Sequence, residues 1–163
     1  MSLTVGTDTY LSLDDADTYF GNRLHTDTWD AASDDDKEAA LKMACSLLEN
    51  RVHWLGAPTD SSQTLSWPRR GLLDHSGNVV PKDTIPEAVK AVQCDLAAYL
   101  LDNDPMTVPG GIEKIDLEGL ELDVQANAQT IPTKIFRPIE IYGQLLDAKA
   151  SFNVSRYNRY RNR

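Results

Sequence analysis

Apolar residues recur at three- and four-residue steps between residues 33 and 54: Ala40, Leu41, Ala44, Leu47, Leu48 and Val52. That spacing marks one face of an α-helix. Ser33 stands ahead of it as an N-cap, and Asp34, Asp35 and Asp36 fill the electropositive first turn. A second stripe, Val89, Val92, Leu96 and Leu100, follows Ile85-Pro86-Glu87 and stops at Asn103-Asp104-Pro105. Proline is well suited to a first helical position, and the acid beside it to the same turn. A shorter helix is signalled at Ser12, which caps with Asp15 three residues on; Tyr19, Phe20 and Leu24 would form its apolar side. The run IPTKIFRPIEIYGQLLDAKA reads as helix in pieces. Pro132 and Pro138 each suit a first turn, and Ile139, Tyr142 and Leu146 share a face, although Gly143 interrupts it.

Between the second stripe and that run the period changes. Ile115 and Leu117, then Leu120 and Leu122, alternate with acids around Glu118-Gly119. This predicts a β-hairpin over residues 112–125 with a two-residue loop. Its register sets Asp116 opposite Glu121, a small like-charge cost. Pairing with a neighbouring chain, through Ile115, Leu117, Leu120 and Leu122, would cover its edges. Residues 56–84 are rich in Gly, Pro, Ser and Asp without a period; loops of this length in a compact domain are usually functional. The fold class is therefore mainly α: a small helical bundle with long connecting loops, a β-hairpin extension and an extended C-terminal tail. One domain spans residues 1–150, and a basic tail spans 151–163.

Composition adds a charge asymmetry. The chain of 163 residues carries a net charge of −9. Residues 1–50 hold eleven acids against three bases, whereas from Lys134 onward seven bases face two acids. An acidic body repels a nucleic-acid backbone, so the two ends point to different partners, or to identical subunits meeting acidic end to basic end. No run approaches the ~20 apolar residues of a membrane span. The first residues lack the pattern of a signal peptide. Synthesis in a cytoplasm is the expectation, with no membrane partner.

Candidate chemistry is sparse. Cys45 and Cys94 lie in apolar helical stretches, as small buried hydrophobes rather than a disulfide framework. Asp74-His75-Ser76, followed by Gly77-Asn78, spells a turn, because adjacent residues do not aim into triad geometry. His25, His53 and His75 lack metal-ligand spacing, and Asp34 to Asp36 lack the calcium-loop pattern. No catalytic residue, cofactor site or metal site is assigned. Two stretches suggest binding instead. In LSWPRRG, Trp67, Arg69 and Arg70 either make an intermolecular contact or have a structural role, Trp67 plugging the core and an arginine pairing with a body carboxylate. The tail SRYNRYRNR carries Arg156, Tyr157, Arg159, Tyr160, Arg161 and Arg163 without an aliphatic residue. Such a segment orders on a partner rather than by burial. Its arginines and tyrosines suit a protein groove or, less well for so acidic a chain, DNA.

The ordered set Tyr10-Leu11-Ser12-Leu13-Asp14-Asp15-Ala16-Asp17-Thr18-Tyr19-Phe20, Trp29, the Asp-Lys-Glu-Ala-Ala-Leu helix start, Trp67-Pro68-Arg69 and Ile85-Pro86-Glu87-Ala88-Val89-Lys90 resembles a tailed-phage family. Its members are similar to head–tail connector (adaptor) proteins and are often labelled DnaT-like single-stranded-DNA-binding proteins. The resemblance covers about residues 8–102. It implies a non-enzymatic structural subunit of the virion neck: a homo-oligomer, by analogy a dodecameric ring, joining the portal protein to tail or head-completion proteins. Packaged DNA would pass its lumen without sequence-specific binding, and the tail would dock on the portal. The alternative that the label implies is a single-stranded-DNA-binding replication accessory, which requires a cationic groove with stacking aromatics.

Overall fold

The computed structural model describes residues 3–103 and 131–146. The expected hairpin, with Ile115, Leu117, Leu120 and Leu122, and the basic tail, from Arg156 to Arg163, lie outside those residues. The chain runs α1 (Leu13–Gly21), α2 (Asp27–Ala31), α3 (Asp34–Arg51), β1 (Val52–Trp54), β2 (Ala57–Pro58), β3 (Arg69–Arg70), α4 (Glu87–Asp102), a 3-10 helix (Thr133–Ile139) and β4 (Gly143–Leu145). It is mainly α, as the periodicity predicts.

The helix starts follow from their caps. Ser12 accepts from the Asp15 amide while the Asp15 carboxylate accepts from the Ser12 amide, a reciprocal capping box. Ser33 accepts from the Asp36 amide at 3.2 Å, and three aspartates sit in the positive first turn of α3. α3 and α4 pack along each other, contributing Leu41, Ala44, Cys45 and Leu48 from one and Val89, Val92, Cys94 and Leu96 from the other to a single core. The 3-10 helix closes that core over α4 with Phe136 and Ile139. Each fully buried Leu, Ile, Val or Phe side chain among these stabilises the fold by about 1.5–3 kcal/mol before entropic costs, and Ala44 by less. Burial pushes both thiols up, Cys45 to about 12 with the Glu49 charge adding to it, and Cys94 to about 12 with Asp95 adding.

One buried side chain stitches three segments together. Gln93, fully buried on α4, accepts from the Tyr10 amide at 3.1 Å and donates to Thr9 Oγ1 at 2.6 Å and the Leu41 carbonyl at 2.9 Å. Inside a helical core these amide contacts fix the N-terminal segment against both long helices, since an unpaired buried amide is costly.

Several elements differ from the sequence expectation. α3 ends at Arg51 rather than near 54, because Val52–Trp54 pairs antiparallel with Gly143–Leu145, register Val52↔Leu145 and Trp54↔Gly143. The expected helical face through Tyr142 and Leu146 is therefore partly strand, with Leu146 52% exposed. Gly143 is needed for this pairing: a Cβ there would lie 2.6 Å from Val52 Cγ1 and 3.1 Å from the His53 carbonyl oxygen. Leu24 lies past the end of α1 and is 83% exposed instead of buried. α2 is an element the periodicity missed; its five residues carry Trp29, which stacks on Phe20 at 4.3 Å and donates from Nε1 to Asp17 at 2.8 Å.

Candidate interaction surfaces

The connection over 56–84 is structured by two short strand pairings, β2 with β3 and a bridge from Leu73 to Val79. Trp67, followed by a cis peptide to Pro68, is 1% exposed. Its ring meets Trp54 at 5.6 Å and Tyr142 at 5.7 Å, both edge to face, a favoured aromatic arrangement. Trp67 thus fills the core, as one of the two sequence readings has it.

Arg69 is turned inward as well. Its guanidinium donates from Nε to the Leu55 carbonyl at 2.6 Å, from Nη1 to Ser66 at 3.0 Å and from Nη2 to Gly56 at 3.0 Å, with Trp54 at 3.4 Å. A planar fork of donors satisfies several carbonyls at once, which an ammonium cannot do in the same geometry. The partner is therefore backbone, not the single body carboxylate expected. Glu49 instead takes the Tyr10 hydroxyl on one oxygen and, on the other, the Ser66 amide at 3.1 Å and hydroxyl at 2.7 Å. Burial, then the Glu49 charge, holds the Tyr10 phenol well above its usual range. Of the three loop residues nominated for an intermolecular contact, Trp67 and Arg69 are buried, and only Arg70 faces outward.

The region over Asp74–Asn78 is a turn. Asp74 Oδ1 accepts from the Ser76 and Asn78 amides, both at 2.8 Å, and the Gly77 amide donates to the Asp74 carbonyl at 3.0 Å. These bonds hold the Asp74 carboxyl below its usual range, the Asn78 amide contributing most. His25, His53 and His75 are exposed and far apart in sequence. No group of three or more metal-ligating side chains occurs among the described residues, and no described helix is long and apolar enough to cross a membrane.

Among the described residues, charge and aromatics are distributed unfavourably for nucleic acid. The described residues hold eighteen Asp and Glu against ten Lys and Arg. Several bases are already engaged: Arg23 with Asp95 and the Tyr19 ring, Lys37 with Asp17 at 3.2 Å, Lys90 with Glu87 at 2.9 Å, and Arg69 with carbonyls. Burial opposes the Arg23 charge, but Asp95 and Tyr19 together outweigh it and hold the guanidinium above its usual range, while burial with Asp95 pushes the Tyr19 phenol up to about 12. Of nine described aromatic side chains seven are buried, and Tyr19 and Tyr99 are half-buried. Base stacking needs an exposed ring face. The remaining aromatics, Phe152, Tyr157 and Tyr160, all belong to the basic end of the chain.

One cleft gathers basic side chains that sequence spacing did not bring together. Arg23 and His25 after α1, and Lys134 on the 3-10 helix, line it with Phe20, Leu24 and Asp95. These residues are separated by more than a hundred positions, so only the packing of the 3-10 helix on α4 joins them. Asp95 offsets part of that charge. It is a small mixed patch, not a groove that tracks a strand.

A family model described as "putative DnaT-like ssDNA binding protein" matches residues 2–139. Comparisons with curated proteins and with solved structures give no match.

Proposed function

The chain belongs to the DnaT-like ssDNA-binding family, and from that premise we propose that it is a non-enzymatic binding protein whose folded body meets protein rather than nucleic acid. The observation that carries this is the pairing of an acid-rich described surface with aromatic rings turned into the core. Eight aspartates on α1, α2 and the start of α3 are exposed; such a surface repels phosphate and suits cationic protein segments. The finer reading is an assembly subunit whose copies form a ring in a tailed-phage neck between the portal and tail-completion proteins. The sequence resemblance supports that role, and the acidic body is compatible with DNA sliding past it.

The matched family's description favours a second reading, a replication accessory that binds single strands. On this chain such binding falls to the C-terminal segment, where four arginines and two tyrosines stand together. Four phosphate contacts give a salt slope no steeper than about −3 on single strands.

The two readings separate in a paired experiment on the full chain. Mixing with the cognate portal protein, followed by electron microscopy, is expected to show ring-on-ring particles. Anisotropy titrations with a labelled oligothymidine between 50 and 300 mM salt are expected to show weak binding that vanishes when Arg156, Arg159, Arg161 and Arg163 are replaced by serine. Tight oligonucleotide binding that survives those replacements, with no portal complex, would overturn the assembly reading.

A further inference from the structure

Where α2 and the first half of α3 meet the last turn of α4, the surface opens into a groove of about 600 Å³. Its floor is apolar: Ala31, Ala39 and Met43 with Leu100 and Leu101. Met43 is 41% exposed, unusual for a side chain of its size on a helix that otherwise buries its apolar face. Asp36 and Asp102 line the groove, and no lysine or arginine is among the described residues that do so. Asp102 accepts from the Thr28 hydroxyl at 3.0 Å, which orients the carboxylate and leaves further acceptor sites free. Asp27, Asp30, Asp34 and Asp35 are exposed on the same two helices. The groove thus has a greasy floor and an anionic rim.

We propose that this groove receives the basic C-terminal segment of a second copy of the chain. The complement is specific in kind. Residues 147–163 hold five bases against one acid, and their tyrosines, at 157 and 160, alternate with arginines. Arginine pairs carboxylates through two parallel hydrogen bonds, and tyrosine rings pack on methionine and leucine while leaving the hydroxyl at the rim. A partner copy, rather than the chain's own end, is the occupant that the assembly reading selects. The groove uses α3 from Asp36 to Met43, whereas the C-terminal strand β4 pairs with β1, just past the opposite end of α3. At 1.5 Å per residue those positions are roughly 14–24 Å apart along the axis. The end of the described chain, at Leu146, and the groove therefore lie toward opposite ends of α3, and a contact between copies across such an offset generates head-to-tail rings or filaments. The seventeen residues after Leu146, at ~3.3 Å each when extended, span more than that offset and reach a neighbour's groove as well as their own.

This inference rests on the assembly reading and names the contact that would carry it. It is tested by complementation with full-length chains. One variant carries Ala39→Lys and Met43→Lys in the groove, both at exposed helical positions where lysine is a good helix former. The other carries Arg156→Ser, Arg159→Ser, Arg161→Ser and Arg163→Ser. Sedimentation velocity of the unaltered chain is expected to show concentration-dependent association, weakened at least tenfold in either variant, with unchanged circular dichroism. An equimolar mixture of the two variants retains one intact tail and one intact groove, so it is expected to form a one-to-one pair.

Several outcomes would overturn the proposal. Variants that associate like the unaltered chain do so while leaving the assembly reading standing. A mixture that does not pair, with both variants changing shape at constant mass, assigns the groove to the chain's own end. An unaltered chain that stays monomeric at all concentrations, alone and with portal, removes both this contact and the assembly reading.

Discussion

Replacing Arg69 with methionine keeps much of the side chain's volume and removes its five donors. The Leu55, Gly56 and Ser66 carbonyls then lose bonds of 2.6 to 3.0 Å, and Trp54 a weaker one at 3.4 Å. Hydrogen bonds to a charged donor contribute about 1.5–3 kcal/mol each. Leu55 and Gly56 are exposed enough for water to recover part of the loss, whereas Ser66 is half-buried. Counting the equivalent of one to two full bonds gives a destabilisation of about 2–4 kcal/mol. For a domain of this size that corresponds to a drop in Tm of roughly 6–12 °C. Lysine at the same position retains the charge but not the fork and should fall between methionine and the unaltered chain. The measurement is urea and thermal unfolding followed by circular dichroism, with Arg70→Ala as the exposed control, expected within about 0.5 kcal/mol of the unaltered chain. An Arg69→Met chain that melts normally but no longer assembles would refute the clamp and return Arg69 to an intermolecular contact.

Gly143→Ala should destabilise by about 1–3 kcal/mol, since its new Cβ meets Val52 Cγ1 at 2.6 Å and Trp54 Cε3 at 3.2 Å on a pairing strand; an unchanged urea midpoint would mean the β1–β4 pair gives way without cost. Ser12→Ala should cost about 1 kcal/mol at neutral pH through loss of the cap. The Ser12 side chain is the main group holding the Asp15 carboxyl below its usual range, with the Ser12 amide assisting. A folded-state pKa below the unfolded one contributes stability that is present above about pH 4 and lost as pH falls through the folded value. The gap between the unaltered chain and Ser12→Ala should therefore narrow in acid, and a gap that widens below pH 4 would contradict this linkage.

The helix starts were legible in the sequence because their causes are local. Ser12 with Asp15, and Ser33 with Asp36, act across three residues, and the apolar stripes of α3 and α4 repeat within a turn or two. The Asp74–Asn78 turn belongs with them, since its bonds span four residues at most. Short elements were harder to read: α2 is too brief to show a period and is held by Trp29 against Phe20.

For the interaction surfaces, sequence supplied the residues but not their direction. LSWPRRG marked Trp67, Arg69 and Arg70 as special, yet the choice between core and partner depended on carbonyls from residues 54–56 and rings from Trp54 and Tyr142. The groove at Met43 was not visible at all, because α2, α3 and α4 contribute to it from three separated stretches. The acidic first half and the basic end, by contrast, are properties of the chain itself. Tertiary structure decided that Val52–Trp54 leaves the helix for a strand and that Gly143 is a close-packed partner. It also decided that Arg69 turns inward. Each outcome depends on groups distant in the chain, whose hydrogen bonds and burial outweigh the weak local preference of the few residues involved.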